Sequence, residues 1–254
     1  MMRRFTILVL AAALLAGCAE KDGHEYQGWV EADLVFVSPD EQGRVETLSV
    51  REGDQVESGR LLIALDSDLQ RADLAVAEAA FINAKIAFER AQQLARTGAG
   101  TQRDFDNAQA ALRQAEAQVA AAKTRLARRM LESPTAGIVQ QVYFRPGETV
   151  PASRPIVSLL PPGNIKVRFF VPETLLARIA IGDQVRVSCD GCAEDVLAPV
   201  TFISRSAEFT PPVIYSREER AKLVYLVEAR PARTGALRVG QPVSVAVTPR
   251  EAKQ

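Results

Sequence analysis

Residues 50–66 read VREGDQVESGRLLIALD, and residues 144–160 read FRPGETVPASRPIVSLL. At an offset of 94 positions Arg51 falls on Arg145, Gly53 on Gly147, Val56 on Val150, Arg60 on Arg154 and Leu65 on Leu159. The match extends upstream to Gly43 on Gly137 and Val45 on Val139. Each copy reads as a short strand, a Gly-acidic turn (Gly53-Asp54, Gly147-Glu148) and a second strand ending in alternating apolar residues. A unit of this size cannot bury an apolar face alone. The two copies are therefore expected to pack together as one small β-sandwich, built from residues 33–66 and 132–161.

Between the copies, residues 67–131 are alanine-rich, charged and free of proline, the statistics of helix. Leu74, Phe81, Phe88 and Ala95 recur every seven residues, with Ala77, Ala84 and Ala91 three positions after the first three of them. Phe105, Leu112, Val119 and Leu126 repeat the pattern, with Ala108, Ala115 and Ala122 in the three-later positions. Both are coiled-coil seams. The positions 74 with 126, 81 with 119, 88 with 112 and 95 with 105 each sum to 200, so two helices folded about Gly98-Ala99-Gly100 would keep them level. The insert is predicted to be an antiparallel helical hairpin, each arm on the order of 45 Å long. Large residues at one seam position and alanine at the other allow close approach and give a thin rod.

Beyond Pro161-Pro162-Gly163, the runs 165–171, 184–189, 197–204, 223–229 and 242–247 read as strands, with a short helix opened by Pro172-Glu173 over Thr174 to Ile179. Short strands with one small helix predict a β-barrel over 162–248, followed by a tail at 249–254. The fold class is thus mainly β with an inserted α-helical antiparallel coiled-coil hairpin. The prolines and charges of Ala207-Glu208-Phe209-Thr210-Pro211-Pro212 read as an exposed loop.

The chain has 254 residues, 47% of them hydrophobic, and no net charge, so it can bury a real core. Without a Lys/Arg-rich run, nucleic-acid binding is set aside. Met1 to Arg4 supply a positive region and Phe5 to Ala16 an apolar stretch of twelve residues, too short to span a bilayer. The stretch ends in Leu15-Ala16-Gly17-Cys18, which resembles a bacterial lipobox. Residues 1–17 are accordingly expected to be a lipoprotein signal peptide, Cys18 the lipidated N-terminus, and residues 18–32 a tether. In Cys189-Asp190-Gly191-Cys192 the Asp-Gly pair reads as a tight hairpin turn that faces the thiols toward each other. A disulfide is the favoured reading in an oxidising compartment, with free thiols or half of a zinc site as the alternatives. A zinc site would need a second ligand pair, and the lone histidine, His24, falls in the tether.

The paired half-motifs resemble a split lipoyl or biotinyl domain. Such a domain with a coiled-coil hairpin between its halves resembles the HlyD-type periplasmic adaptor, or membrane fusion protein, family. In carrier domains a lysine sits at the turn joining the halves; here the hairpin replaces that turn, and the attachment lysine has no counterpart. The Pro-Glu helix start and the strand Gly240 to Val245 are similar to the family's β-barrel domain. The segment 207–212, followed by Leu223-Val224-Tyr225, resembles the branch that serves ABC-type exporters. Only seven residues follow Val247 and little precedes the first copy, which disfavours the further membrane-proximal domain typical of RND-pump adaptors.

The resemblance implies a non-catalytic adaptor, held to the inner membrane by its lipid and linking an ABC transporter to a TolC-like outer-membrane channel as a homo-oligomer, by family resemblance a hexamer. The alternatives are an RND-pump adaptor or an envelope coiled-coil scaffold lipoprotein without a transport role. Adaptors that dock on such channels tend to carry an arginine, a leucine four residues later and a serine seven beyond that; here these positions are Arg90, Leu94 and Thr101, with threonine in place of serine. Leu94 adjoins the seam and Thr101 also reads as a helix N-cap. No nucleophile–base pair, phosphate loop or metal cluster is visible, so neither an enzyme nor a cofactor is expected.

Overall fold

Residues 94 positions apart in the sequence become neighbours in a single apolar core. Val45 and Val139, Val56 and Val150, Leu62 and Ile156, Ile63 and Val157, and Leu65 and Leu159 are all buried there. The computed structural model describes residues 25–192, 194–209, 223–232 and 237–247. Among them, strands β2 (Val35–Val37), β3 (Gly43–Leu48), β4 (Gln55–Val56) and β5 (Leu61–Leu65) come from the first copy. Strands β6 (Met130–Glu132), β7 (Gly137–Val142), β8 (Thr149–Val150) and β9 (Val157–Leu160) come from the second. Among the described residues one sheet runs β2-β9-β7-β4 and the other β6-β5-β3-β8, so each sheet takes two strands from each copy.

The exchange is reciprocal down to single hydrogen bonds. The Gly53 amide donates to the Val139 carbonyl at 2.8 Å, and the Gly147 amide donates to the Val45 carbonyl at 2.8 Å. Both turn glycines take a positive φ, 91° and 93°, that other residues enter only with strain. Within each turn the acidic side chain accepts from the backbone, Asp54 from Arg51 and Glu148 from Arg145. Each half's turn thus depends on the other half's strand, which is why neither half is a folding unit. Gly43 and Gly137 are matched for a different reason: a Cβ on Gly137 would lie 2.7 Å from the Leu160 carbonyl oxygen, and one on Gly43 would lie 2.8 Å from Nη1 of Arg129.

The insert forms helices α1 (Asp68–Arg96) and α2 (Gln102–Ala127). Every seam position read from the sequence is at least half-buried, and Ala115 and Ala122 are buried. Near the tip the seam side chains also reach from one level to another. Phe88 and Phe105, expected two turns apart, have ring centroids 5.5 Å apart. Alanine at 91 and 108 leaves room between them into which the rings reach. Asp66 opens α1 by accepting from the Asp68 amide at 3.2 Å. That bond, with the Arg44 guanidinium 2.7 Å away, holds the Asp66 carboxyl below the usual carboxylate range.

The described residues divide into two compact units, Leu34–Pro162 and the residues up to Asp33 with those from Gly163 onward. In the second unit, among the described residues, six strands close a barrel in the order β1-β10-β13-β12-β11-β14. They are β1 (Glu25–Ala32), β10 (Ile165–Pro172), β11 (Gln184–Ser188), β12 (Val196–Phe209), β13 (Leu223–Ala229) and β14 (Pro242–Val247), with the one-turn helix α3 (Glu173–Leu176) after β10. The apolar member of each alternating pair points inward, as Val167, Phe169 and Val171 do on β10.

Four expectations are corrected here. The tether drawn over 18–32 ends early, because Glu25–Ala32 is the barrel strand that pairs with both β10 and β14. Its turn-free alternation fits the barrel wall, and Gly28 is needed at the β1–β10 contact, where a Cβ would meet the Arg168 carbonyl oxygen at 2.5 Å. Met130 and Leu131, assigned to the hairpin, belong to β6 and pair with β5. Ala207–Phe209, read as loop, continues β12 opposite β13 after an irregularity between Ile203 and Ala207, while 210–212 lie outside the described residues. The short helix spans Glu173–Leu176 rather than 174–179.

Candidate functional site

At the hairpin tip, α1 ends at Thr97, whose hydroxyl bonds back to the Gln93 and Leu94 carbonyls, and Gly98 follows at φ 73°. The Leu94 carbonyl accepts from the amides of both Ala99 and Gly100 at 3.0 Å. A Cβ on Gly100 would come within 3.0 Å of the Leu94 Cβ, so this glycine lets the turn close on Leu94. The Leu94 side chain remains 43% exposed. Arg90, one turn earlier, is also exposed, and the four-residue spacing sets it beside Leu94 on a flank of α1 that adjoins the seam. Arg90 and Leu94 thus stand one turn apart on one exposed flank of α1. Thr101 is engaged differently: its hydroxyl accepts from the Asp104 amide at 3.1 Å and donates to the Asp104 carboxylate at 2.6 Å, a capping arrangement for α2. The outer face of α1 also carries Leu69, Val76, Ile82 and Ile86, all exposed.

At the hairpin root lies a polar group that the heptad reading passed over. Extending the alanine rows one heptad outward reaches Gln70 on α1 and Arg129 just past α2, where the seam changes from alanine to large polar side chains. Both are buried, at 9% and 8% exposure. Arg129 Nη1 donates to the Gln42 carbonyl at 2.9 Å, and Nη2 pairs with Glu41 at 3.1 Å. The Gln70 amide, with its oxygen turned to the guanidinium, accepts from Arg129 Nε at 3.0 Å. Arg128 pairs with Asp40 at 3.2 Å.

The barrel flank carries a second ionic group across β1, β10 and β13. Lys166 reaches Asp33 at 2.9 Å and Glu228 at 3.2 Å; Arg168 pairs with Glu31 at 2.8 Å and with Glu228 at 3.4 Å; Arg230 also pairs with Asp33. The Arg168 guanidinium lies 5.7 Å from the centre of the Trp29 ring. The hydrogen bond from Lys166, joined by that of Arg230, holds the Asp33 carboxyl below its ordinary range. Burial works against the charged Lys166 ammonium, but its bonds to Asp33 and Glu228 outweigh this and raise its pKa. A depressed carboxyl contributes stability above its unfolded pKa and loses it as pH falls through the folded value. A raised ammonium contributes below its unfolded pKa and loses it as pH rises through the folded value. The barrel is thus expected to be most stable between about pH 5 and pH 10. Denaturation followed by Trp29 fluorescence should show the acid-side loss shrink in Asp33→Asn by less than about 1 kcal/mol, since Asp33 is partly solvated.

Cys189 and Cys192 face each other with Cα atoms 5.3 Å apart, within the span that a disulfide bridges. The Cys192 amide donates to the Cys189 carbonyl at 3.1 Å, and Gly191 takes φ 82°. The turn is one step in a longer connection, because β12 begins only at Val196. Cys18, the signal segment 1–17, His24 and the tail 249–254 lie outside the described residues. Among the described residues no helix is long and apolar enough to cross a membrane, and no three His, Cys, Asp or Glu side chains are placed to hold a metal ion.

A sandwich split by a helical hairpin, with a separate six-stranded barrel among the described residues, is the architecture of membrane fusion protein structures. Residues 66–130 match the family model described as "RND MFP, alpha-helical hairpin domain". The chain superposes on the MacA-MexA chimeric protein containing the Pseudomonas aeruginosa MexA α-hairpin domain with a TM-score of 0.74 at 20% identity, covering 90% of this chain and 81% of that one. For the membrane fusion protein Spr0693 from Streptococcus pneumoniae R6 the values are 0.71 and 19%, covering 90% and 100%. At these identities the likeness is one of fold. In sequence, the chain is 29% identical to the UPF0194 membrane protein in the asrC 5′ region of Acidithiobacillus ferridurans, over 86% of this chain and 85% of that protein. It is 26% identical to the UPF0194 membrane protein YE2891 of Yersinia enterocolitica, over 80% and 83%.

Proposed function

We propose that this chain is a non-catalytic periplasmic adaptor of an efflux or secretion system, anchored by lipid at Cys18 to the inner membrane after loss of residues 1–17. It would link an ABC-type exporter to a TolC-like outer-membrane channel as a homo-oligomer. The observation that carries the reading is the hairpin itself: a long two-helix rod, inserted between the halves of one sandwich and matching the membrane fusion protein hairpin over residues 66–130. An insert of this kind extends reach without adding reacting groups, so the function is mechanical. The lipid and barrel engage the transporter, neighbouring sandwiches stack in a ring, and the tip meets the channel. Arg90 and Leu94 supply a cation and an apolar knob on one exposed face, a combination suited to a groove between helices. Thr101 contributes through the remaining lone pair of a hydroxyl already engaged as a cap.

The assignment to an ABC partner rests on the resemblance of 207–212 and 223–225. An RND-type partner is the second reading, favoured by the description of the matching hairpin model. Photo-crosslinking in whole cells from positions 90 and 94, and from Phe202 on the exposed barrel wall, tests both. The expected products are an outer-membrane channel adduct from the tip and a permease adduct from the barrel. A transporter adduct without any channel adduct would sink tip docking, an RND pump adduct would replace the ABC assignment, and absence of both would remove the adaptor reading.

A further inference from the structure

We propose that Arg129 is a positioning residue that fixes the direction of the hairpin on the sandwich, turning two covalent crossings into a stiff joint. The chain passes between sandwich and rod at residues 66–68 and again at 128–130, and two such crossings alone leave a hinge axis through them. A third, non-collinear tie removes that freedom. The β2–β3 connection supplies it: the Gln42 carbonyl and the Glu41 carboxylate are both held by the Arg129 guanidinium, at 2.9 and 3.1 Å. The same guanidinium holds the Gln70 amide of α1 through Nε at 3.0 Å. One planar fork therefore joins the exit of α2, the first turn of α1 and a loop of the sandwich.

Three features show that this joint is built rather than incidental. Arg129 is 8% exposed, and a charge so buried is kept only where it is paired and hydrogen-bonded. Gly43 makes room for it, since a Cβ there would stand 2.8 Å from Nη1, whereas its counterpart Gly137 is pressed by the Leu160 backbone instead. Finally, the alanine rows of the seam end at Gln70 and Arg129, so the change from apolar to polar coincides with the junction. Arginine suits the place better than lysine, because its rigid fork satisfies several acceptors at once.

The test measures distance distributions by double electron–electron resonance. Spin-labelled non-natural side chains at Ala99 on the tip and Glu57 on the sandwich, in the full chain, leave the native cysteines untouched. The unsubstituted protein is expected to give one narrow distribution. Arg129→Met, which keeps a long side chain and removes the fork, is expected to widen it at least twofold while helix content at 222 nm is retained; Arg129→Lys should widen it less. An unchanged width in folded Arg129→Met overturns the proposal. Should that variant fail to fold, Gln70→Leu decides: widening supports the joint, and an unchanged width overturns it. The readout involves neither transporter nor channel, so its outcome is independent of the adaptor reading.

Discussion

Phe169→Ala is expected to lower barrel stability by about 3–5 kcal/mol, the usual cost of emptying a fully buried aromatic site. Phe169 is 0% exposed at the centre of β10, flanked by strands β1 and β13, and its ring lies 6.3 Å from that of Tyr26. None of the described barrel strands can close over the void without breaking its ladder. The effect should be separable from the rest of the chain. Trp29, the single tryptophan, sits in the barrel with its ring 5.6 Å from that of Phe170, so its fluorescence reports barrel unfolding. The signal at 222 nm comes chiefly from α1 and α2, which belong to the other unit. Denaturant titration of Phe169→Ala should shift the fluorescence midpoint and leave the 222 nm midpoint in place. A common shift of both would show that the two units do not unfold separately.

The converse is expected of Gly137→Val. A Cβ at that position would stand 2.7 Å from the Leu160 carbonyl oxygen and 3.0 Å from its carbon. Both are backbone atoms of the region paired with β7, so no flexible side chain can yield. A loss of about 3 kcal/mol, at the upper end for overpacking, is expected in the sandwich. The 222 nm midpoint should fall while the Trp29 midpoint holds. Gly43→Ala makes the contrast, because its closest neighbour is the Arg129 guanidinium, a side chain that can yield by loosening its bonds to Gln42 and Glu41, whereas backbone cannot. A smaller loss at Gly43 than at Gly137 would separate the two roles of these matched glycines.

The sandwich and the rod were legible because each rests on a repetition: an offset of 94 between copies, and a seven-residue period along the helices. Repetition survives without knowledge of tertiary contacts. The strand Glu25–Ala32 was missed because it has no local partner; it pairs only with residues 165–169 and 242–246. Its alternation of Tyr26, Gly28, Val30 and Ala32 was the available signal. Arg129 and Gln70 were hidden by their polarity, since a search for apolar periodicity stops where the apolar residues stop. Continuing the alanine rows by one step would have found both. At the tip, sequence placed Arg90 and Leu94 together, but the engagement of the Thr101 hydroxyl by Asp104 depends on a geometry that spacing alone allows without requiring.

The closure of the barrel by β1 has a consequence for the order in which the chain can fold. Residues 34–162 form a contiguous stretch whose contacts lie within it, and the helical rod at its centre is assembled from near neighbours. The barrel is different, because Tyr26 pairs with Val245 across most of the chain. Bringing such distant strands together is entropically slow compared with local helix formation. The first barrel strand, carrying Trp29, must therefore wait with its edges unpaired while sandwich and rod form behind it, and it is sealed only when β14 arrives. During that interval its unpaired edges are open to pairing with another chain.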